Sequence, residues 1–435
     1  MISFYFIFLK KYWLAALALF IIAGAFYYQV ADRFQRNVNI PFGSQSEFTG
    51  VVGELDQSVS AQKIVVGLQS PYSGKISINA KRYPDLSYGD LIKIKGVVNK
   101  PLATSENYYA KNNVFAVMSF PEINIISHGQ GNFIKSKLLN FKNKLEENFK
   151  SVLPSEKAAF LSGLTLGERE DFSKEFKNKM SLSGTTHLVA LSGYNISIIV
   201  VVIMAVLGGY LPAAISFYLT ALVIVLFVLM TGAEASVVRA AVMGIIMLLG
   251  RHIGREYSLR NAIVVAAFLM ILFNPKILVF DLGFQLSFAA LLGIIYLSPV
   301  IKKIFKISQP GVLSWKENAA TTLSAQFAVA PLLLINFGFF SLSSFFANIL
   351  ILPFVPLAMG LGFVMGGVGF VSYFLAKIIG LVLNIFLSYM LWIIDIFSKI
   401  TVSVGLEKIS PVAVVFYYFI LIGAVLYANR KSEQL

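Results

Sequence analysis

The sequence predicts a polytopic α-helical membrane protein with a small β-barrel domain outside the membrane, inserted after the first span. Hydrophobic residues make up 57% of the chain and charged residues only 13%, whereas about a quarter of the residues in soluble domains are charged. Apolar runs long enough to cross a bilayer recur along the chain. Between the first and the second run, residues 31–180 contain the alternating pattern that is typical of β-strands.

About ten apolar runs have the length of a membrane-spanning helix. They lie at 12–30, 187–207, 212–231, 234–250, 259–273, 281–300, 318–337, 345–370, 378–398 and 410–428. Threading ten spans from a cytoplasmic N-terminus places the basic clusters on one side of the membrane; these are Lys10/Lys11, Arg251/Arg255, Lys302/Lys303/Lys306 and Arg430/Lys431. We therefore expect both termini in the cytoplasm and residues 31–180 outside.

The first run admits a second interpretation, a cleaved signal peptide. Its apolar part is short, and Ala23-Gly24-Ala25 fits a cleavage site. The apolar character continues to Val30, which favours a retained transmembrane anchor over residues 1–30.

Residues 31–130 form the predicted outer β domain. Five segments of alternating β-branched residues lie between 47 and 126 and are divided by turn sequences. Five strands at this spacing favour a small barrel, most economically an OB-fold. Such barrels bind single-stranded nucleic acid by base stacking and by contacts to the backbone charge. Candidate contacts are Lys75, Lys81, Arg82 and Tyr83, residue types that are equally typical of solvated strand faces and turns.

Residues 131–180 form a predicted basic helical connector. Over 133–152 the apolar residues recur at helical spacing, and most of the lysines lie off that stripe. A helix of this kind lies on anionic lipid headgroups or docks its apolar face on the barrel. Contact with nucleic acid is a third possibility.

The fourth predicted domain, 181–430, begins with polar residues at the mouth of an apolar run. His187, Ser192, Gly193 and Asn195 lie in the segment TTHLVALSGYN. Polar groups in hydrocarbon are costly unless they have partners, so such residues face a cavity or another helix. Packing between helices is the simpler role for Ser192 and Gly193, and His187 could equally be a satisfied interfacial histidine.

Three further polar residues lie in later runs. Arg239 follows Glu234 by about one and a half turns, and a structural pair of Arg239 with a carboxylate, Glu234 or Asp281, is the simpler interpretation. The functional alternative is that Arg239 contacts phosphates in a polar path. Gln285 follows Asp281 by four residues and would share its helix face. Proline residues 353 and 356 predict a break in the run 345–370.

Three segments resemble blocks of the ComEC competence family, the bacterial inner-membrane channels that internalise DNA. The segment FLSGLTLGEREDFSKEFKNKMSLSGTTHLVALSGYNISIIV resembles a family block with a His-Leu-Leu-Ala-Ile-Ser-Gly-Leu-His core. The segments GAEASVVRAAVMGIIMLLG and DLGFQLSFAALLGIIYL resemble later blocks, in the family's order. The core is matched at His187, Leu188, Ala190, Ser192 and Gly193.

The resemblance implies a channel in the bacterial inner membrane for single-stranded transforming DNA in natural competence. The proposed DNA path comprises His187, Ser192, Gly193, Asn195, Arg239, Asp281 and Gln285. The implied partners are single-stranded DNA and membrane lipids, a separate DNA receptor, a separate nuclease and a cytoplasmic ATPase motor, and the channel could be an oligomer. A transporter or exporter of another substrate and a membrane-embedded hydrolase remain alternatives.

Two departures from the family pattern limit these expectations. The family core ends in a second histidine where this chain has Asn195, and many members carry a C-terminal metallo-β-lactamase-like domain that we do not expect in this short form. The chain has no cysteine and only three histidines, and it lacks a nucleotide-binding glycine loop with a lysine. We therefore expect no nuclease, no ATPase, no metal site and no cofactor.

Overall fold

The computed structural model describes residues 24, 26–32, 40–57, 61–102, 105–191, 193–207, 210–307, 315–400, 403–405 and 410–433. The chain divides into two compact units. The β unit comprises Met1–Ser136 and Ala267–Asp281, and the helical unit comprises Lys137–Ala266 and Leu282–Leu435. The protein is thus a helical membrane protein with a β domain, and the four finer domain boundaries stay a prediction.

The strands are numbered in chain order. They are β1 Gln45–Gln57, β2 Ala61–Leu68, β3 Lys75–Lys81, β4 Leu91–Val97, β5 Val114–Ser119, β6 Glu122–Ser127, β7 Phe339–Ser341 and β8 Ser403–Gly405.

The helices are numbered in the same way. They are α1 Glu106–Lys111, α2 Phe133–Val152, α3 Ser155–Leu166, α4 Lys174–Leu182, α5 Gly193–Leu207, α6 Ala213–Met230, α7 Ala235–His252, α8 Leu259–Phe273, α9 Ile277–Phe280, α10 Leu282–Tyr296, α11 Ser298–Ile304, α12 Trp315–Phe337, α13 Ser343–Ile351, α14 Val355–Gly369, α15 Tyr373–Lys399 and α16 Pro411–Glu433.

A six-stranded sheet with the order β5-β3-β2-β1-β4-β6 makes up most of the β unit. The β3–β5 pair is parallel and the other pairs are antiparallel. An isolated antiparallel bridge also joins Asn99, just after β4, to Val117 in β5. The fifth predicted strand segment contains two strands, because Phe120 has a positive φ and Pro121 has no N–H to continue the ladder.

Alternating residues of the sheet form the core of the β unit. Ile64 and Val66 in β2, Ile76 and Ile78 in β3, and the residues that pack with them are fully buried. The segment 267–281 also belongs to this unit, where Asn274 Nδ2 donates to the Lys111 carbonyl over 2.9 Å. The β unit therefore includes chain that lies far from the sheet in sequence.

Six helical stretches of the described chain are long and apolar enough to cross a membrane. They are α6, α7, α12, the α13–α14 stretch, α15 and the part of α16 up to Ala428. The α10–α11 pair, bent by 41°, would make a seventh span, while α5 and α8 contain shorter apolar stretches. Most of the predicted span 12–30 lies outside the described residues, so the count of ten spans is not confirmed.

Prolines shape two of these spans. The predicted break is confirmed, because a 3₁₀ turn over Leu352–Phe354 separates α13 from α14. Pro331 lies inside α12 and cannot donate to the carbonyl of Phe327. The Tyr417 hydroxyl of α16 donates to that carbonyl over 2.9 Å. A side chain of another helix thus satisfies the group that the proline leaves without its partner.

The amphipathic helix predicted over 133–152 is confirmed as α2. Its residues Leu145 and Phe149 are buried in the core of the helical unit, and Asn148 Nδ2 donates to the Gly366 carbonyl over 2.9 Å. The lysines beside this contact, Lys142 and Lys150, pair with carboxylates of the loop that follows α3. The C-terminal half of α2 therefore packs within the helical unit, which differs from both expected roles, binding to lipid headgroups and docking on the barrel.

Candidate functional site

The segment from Ser183 to Asn195 is not one helix. A 3₁₀ turn covers Thr186–Leu188, and α5 begins only at Gly193. The expectation that a single span starts at His187 is therefore wrong, and His187 and Asn195 do not share a helical face. Gly184, with φ +67°, places the chain in a turn that an L-residue rarely adopts, and this turn precedes the 3₁₀ segment.

Close packing fixes the first part of this loop. A methyl group built on Gly184 would lie 2.4 Å from the Cβ atom of Ser344 in α13. The Ser344 hydroxyl donates to the Gly184 carbonyl over 3.1 Å, and His187 Nδ1 lies 3.2 Å from the same oxygen. The imidazole itself is exposed. His187 is therefore anchored by one ring nitrogen.

Ser344 also joins this loop to a polar cluster between α12 and α13. Gln326 Nε2 and Asn348 Nδ2 donate to its hydroxyl over 3.1 Å and 3.2 Å. Asn348 is only 3% exposed, and its Oδ1 atom has no hydrogen-bond partner within the described residues. Hydrogen bonds of this kind fix helix positions in a membrane, where water does not compete for the same groups.

The second part of the loop is held by its carbonyl groups. Arg169 Nε donates to the Val189 carbonyl over 3.2 Å, and the Ser236 hydroxyl of α7 donates to the Leu191 carbonyl over 2.6 Å. A methyl group on Gly167, which has φ +76°, would lie 2.7 Å from the Leu191 side chain. The chain therefore enters α5 along a path that α7 and the end of α3 determine.

Arg239 lies beside the beginning of α5. It is 8% exposed, and its Nη2 atom would lie 3.3 Å from a methyl group built on Gly193. Its guanidinium carbon is 5.8 Å from the centre of the Phe288 ring, a cation–π distance. Nε has no hydrogen-bond partner, and Arg239 has no ion pair, within the chain that the structure describes.

The neighbourhood of Arg239 is electrostatically positive. The N-terminus of a helix carries a partial positive charge on its free N–H groups, and α5 presents that end next to the guanidinium. The expected structural pair with Glu234 is wrong, because Glu234 is exposed and forms no ion pair among the described residues. The charge at this position is therefore complementary to an anion.

Asn195 has a structural role in this arrangement. It is 3% exposed, and its Nδ2 atom donates to the Leu164 carbonyl of α3 over 2.9 Å. This bond connects α5 to the end of α3. It uses at least one of the two amide hydrogens of Asn195, so that hydrogen is not available to a substrate. Ser192, the remaining polar residue of the predicted set, lies outside the described residues.

The last two predicted path residues lie in different units. Asp281 ends the β unit in an extended conformation and accepts a hydrogen bond from Lys111 Nζ over 3.1 Å. It is therefore not part of α10, and the expected shared helix face with Gln285 is wrong. Gln285 is half-buried on α10 in the helical unit. The structure thus gives Asp281 a basic partner other than Arg239.

The predicted DNA contacts of the β unit lie along β3 and the turn after it. Lys75 and Lys81, at the two ends of β3, are exposed, and Tyr83 is 79% exposed. Arg82 pairs with Asp85 over 2.7 Å and lies 5.8 Å from the centre of the Tyr83 ring. Lys81, Arg82 and Tyr83 therefore form one continuous surface, and Lys75 lies apart from it.

Sequence reasoning missed two basic residues at opposite ends of α3. Arg169 binds the Val189 carbonyl, and Lys157 contacts two polar side chains of α15. The available signal was a basic residue on each side of the apolar segment AAFLSGLTL. Their acceptors could not be identified from that signal, because they lie elsewhere in the chain.

The family model described as Competence protein matches residues 164–431. The chain belongs to the ComEC-type competence family. ComE operon protein 3 of Bacillus subtilis (strain 168) is 31% identical over 235 residues, which are 53% of this chain and 29% of that relative. The chain thus matches less than a third of the relative's length. No solved structure matches the chain.

The family match covers the Arg239 site and excludes the six-stranded sheet. Gly193, Asn195, Arg239 and Phe288 all lie within the matched residues, whereas β1–β6 and Lys157 precede them. The residues that carry the function shared by the ComEC-type family are therefore expected in the helical unit.

Proposed function

We propose that this chain is a channel in the bacterial inner membrane that takes up single-stranded transforming DNA. The observation that carries the proposal is Arg239, a buried guanidinium beside the N-terminus of α5 with no carboxylate partner in the described residues. Membership of the ComEC-type competence family supports DNA as the substrate.

The chemistry of this position favours a phosphodiester. A central arginine costs about 2.5–3.5 kcal/mol on insertion scales, and a buried charge without a partner costs more still. A passing phosphate would supply the opposite charge, accept hydrogen bonds from the guanidinium and accept others from the free N–H groups of α5. The contact is transient for each phosphate, so the strand can move.

The surrounding residues have defined roles in this proposal. The exposed His187 offers a hydrogen bond at the loop surface, Gly193 leaves room for the guanidinium, and Gln285 adds a polar group on α10. Asn195 holds α5 against α3 and acts by positioning. Ser192 stays in the proposed path on sequence grounds alone.

The β unit is proposed as an outer OB-like barrel that contacts DNA weakly. Support comes from the parallel β3–β5 pair and from the Asn99–Val117 bridge, which joins the chain just after β4, next to one edge of the sheet, to β5 at the other edge. The contact surface would use Lys81, Arg82 and Tyr83, with Lys75 as a separate charge. The proposed topology keeps ten spans, both termini in the cytoplasm and residues 31–180 outside.

The proposed channel works with other proteins. No ATP-binding loop was recognised in the sequence, so we assign strand movement to a cytoplasmic ATPase motor, DNA capture to a receptor and strand degradation to a separate nuclease. Membrane lipids surround the helical unit, and an oligomer is compatible with the proposal. We assign no enzymatic activity to this chain.

The leading alternative is a transporter or exporter of another substrate built on the same membrane core. It would use Arg239 in the same way, so the two proposals differ in substrate and direction. A membrane-embedded hydrolase is the third candidate, and it would require His187 to act with a second catalytic group.

Deleting the gene in its host and following labelled DNA past the inner membrane tests the proposed function. We expect DNA to bind at the cell surface and to stay outside, with recovery when the wild-type gene is restored. Uptake at the normal rate in the deletion strain would exclude a DNA channel and leave the exporter as the better proposal.

A further inference from the structure

Lys157 is a basic side chain of the helical unit that, like Arg239, has no acidic partner among the described residues. Its Nζ atom donates to Asn384 Oδ1 and to Ser388 Oγ, each over 2.7 Å. Both acceptors are neutral and lie one turn apart on α15. The ion pairs within the described residues do not include Lys157.

The position of these acceptors gives the contact its importance. The helix α15 has 27 residues and is one of the candidate membrane spans, and Asn384 and Ser388 lie near its middle. Lys157 itself lies on α3, which is not a candidate span, and its half-buried side chain reaches the middle of α15. A neutral side chain could bridge Asn384 and Ser388 at lower cost, so helix packing alone does not account for an ammonium group here.

The short helix α3 connects Lys157 to the Arg239 site. Leu164, seven residues after Lys157, accepts the hydrogen bond of Asn195, which lies two residues after Gly193 on α5. At 1.5 Å per residue, Leu164 lies about 10 Å along α3 from Lys157. All residues from Ala158 to Leu166 are buried, so α3 is a firm link between the two basic side chains.

We propose that Lys157 is a further phosphate-binding residue for the same DNA strand. An ammonium group has three donors, and the two bonds to α15 leave one hydrogen for a phosphate oxygen. Asn384 and Ser388 hold the amine, and the phosphate supplies the charge that these neutral groups lack. This inference rests on the proposed function and extends it to a residue that precedes the family match.

The test measures oligonucleotide binding by the full chain in detergent, with fluorescent oligothymidylate as the probe. The variants are Lys157→Gln, Lys157→Arg and, as a control, Lys177→Gln, which removes the same charge from an exposed position. Each phosphate contact to a single strand contributes about 0.7 to the slope of log K against log salt, or about fivefold in affinity at about 0.1 M salt.

We expect Lys157→Gln to flatten the slope by about 0.7 and to weaken binding about fivefold. Lys157→Arg should keep the wild-type slope, and so should Lys177→Gln. An unchanged slope in a folded Lys157→Gln variant would overturn the assignment of Lys157. Absence of binding by the wild-type chain would instead count against the proposed function, which separates the two failures.

A measurement on the wild-type chain covers the case in which Lys157→Gln does not fold. Bound oligothymidylate should protect Lys157 from acetylation by an amine-reactive ester, measured by mass spectrometry, and should leave Lys177 reactive. Equal acetylation of Lys157 with and without the oligonucleotide would overturn the proposal, provided that binding is observed in the same sample.

Discussion

Two groups of basic side chains in the helical unit differ in their partners. Lys142 of α2 pairs with Glu168 and Lys150 pairs with Asp171, so both lysines have partners within the folded chain. Arg239 contacts the ring of Phe288, and Lys157 contacts an amide and a hydroxyl of α15. Neither residue has a carboxylate partner in the described chain. The first group stabilises the fold through ion pairs within the chain, whereas we propose that the second group finds its counter-charge on a ligand. Removing one charge from each group should therefore affect different properties.

The largest expected effect is on transport by Arg239→Gln. Loss of a hydrogen-bonded charge contact of about 3 kcal/mol would lower DNA internalisation about 100-fold. The melting temperature in detergent should not fall, because no described carboxylate loses its partner and a buried charge without a counter-charge is removed. Arg239→Lys should keep part of the uptake. Normal uptake by an inserted Arg239→Gln variant would remove this residue from the path.

Lys142→Met should lower the stability of the protein and leave DNA uptake unchanged, which is the opposite of the result expected for Arg239→Gln. It leaves Glu168 without its partner, and breaking a part-buried pair on one side costs about 3 kcal/mol. Thermal unfolding should show the loss, while uptake per folded molecule should stay near the wild-type value. Lys144→Met, at an exposed position of the same helix, is the control. Equal melting temperatures for the two variants would show that the pair contributes little.

A comparison of two glycines with similar backbone conformations distinguishes the cost of steric overlap from the cost of backbone strain in the loop before α5. Gly184 has φ +67° and Ser344 within 2.4 Å of its Cβ position, whereas Gly254 has φ +69° and nothing within 4 Å. Alanine at Gly254 should cost about 1 kcal/mol, and alanine at Gly184 about 3 kcal/mol because overpacking adds to the strain. Equal losses in denaturant unfolding would contradict the close contact between the loop and α13.

Glu146, a half-buried carboxyl beside these pairs on α2, should make the stability of the protein sensitive to pH. Burial raises the pKa of its carboxyl to about 7 from an ordinary value of 4.5, so the folded protein binds a proton that the unfolded chain releases. The contribution of Glu146 to the stability is greatest below pH 4.5 and falls as the pH rises toward 7, by about 2 kcal/mol after allowance for screening.

Glu146→Gln should abolish this fall, since an amide does not titrate. Glu147→Gln, a neighbouring exposed position, should retain it. The measurement is the midpoint of denaturant unfolding at several pH values between 4 and 8. A parallel pH dependence of wild type and Glu146→Gln would show that other groups cause the fall.

The smallest expected effect is in the β unit. Lys81→Gln should flatten the salt dependence of oligothymidylate binding by about 0.7 and weaken it at most about fivefold. Lys93→Gln is the control, because Lys93 already pairs with Glu47 over 2.6 Å. Identical slopes for the two variants would leave the sheet as a scaffold without a DNA contact.

The sequence predicted the elements whose signals are local. The period of apolar residues predicted α2 with its observed bounds, and two prolines predicted the break between α13 and α14. Alternation placed the strand segments, although it merged β5 and β6 because Phe120 and Pro121 looked like part of one run. Local periodicity and turn chemistry are sufficient for such elements.

The candidate site was predictable only in part, because its geometry depends on distant contacts. Gly193 and Arg239 were both recognised, yet their proximity follows from the packing of α5 on α7. The start of α5 was misplaced because a contact between Gly184 and Ser344 fixes the preceding turn. Lys157 was missed because its acceptor Asn384 lies 227 residues away. Contacts between such distant residues leave no periodic pattern in the sequence from which they could be predicted.

The hydroxyl contact from α16 to α12 has a consequence for biogenesis. Tyr417 lies 90 residues after Phe327, so α12 is synthesised long before its partner for the carbonyl that Pro331 leaves open. In hydrocarbon an open carbonyl has no water to bind. The nascent chain therefore carries an unsatisfied carbonyl in α12 until α16 enters the membrane, and the new hydrogen bond favours the correct placement of α16. A Tyr417→Phe chain, which has a more hydrophobic α16, would insert at least as readily and would lose this hydrogen bond.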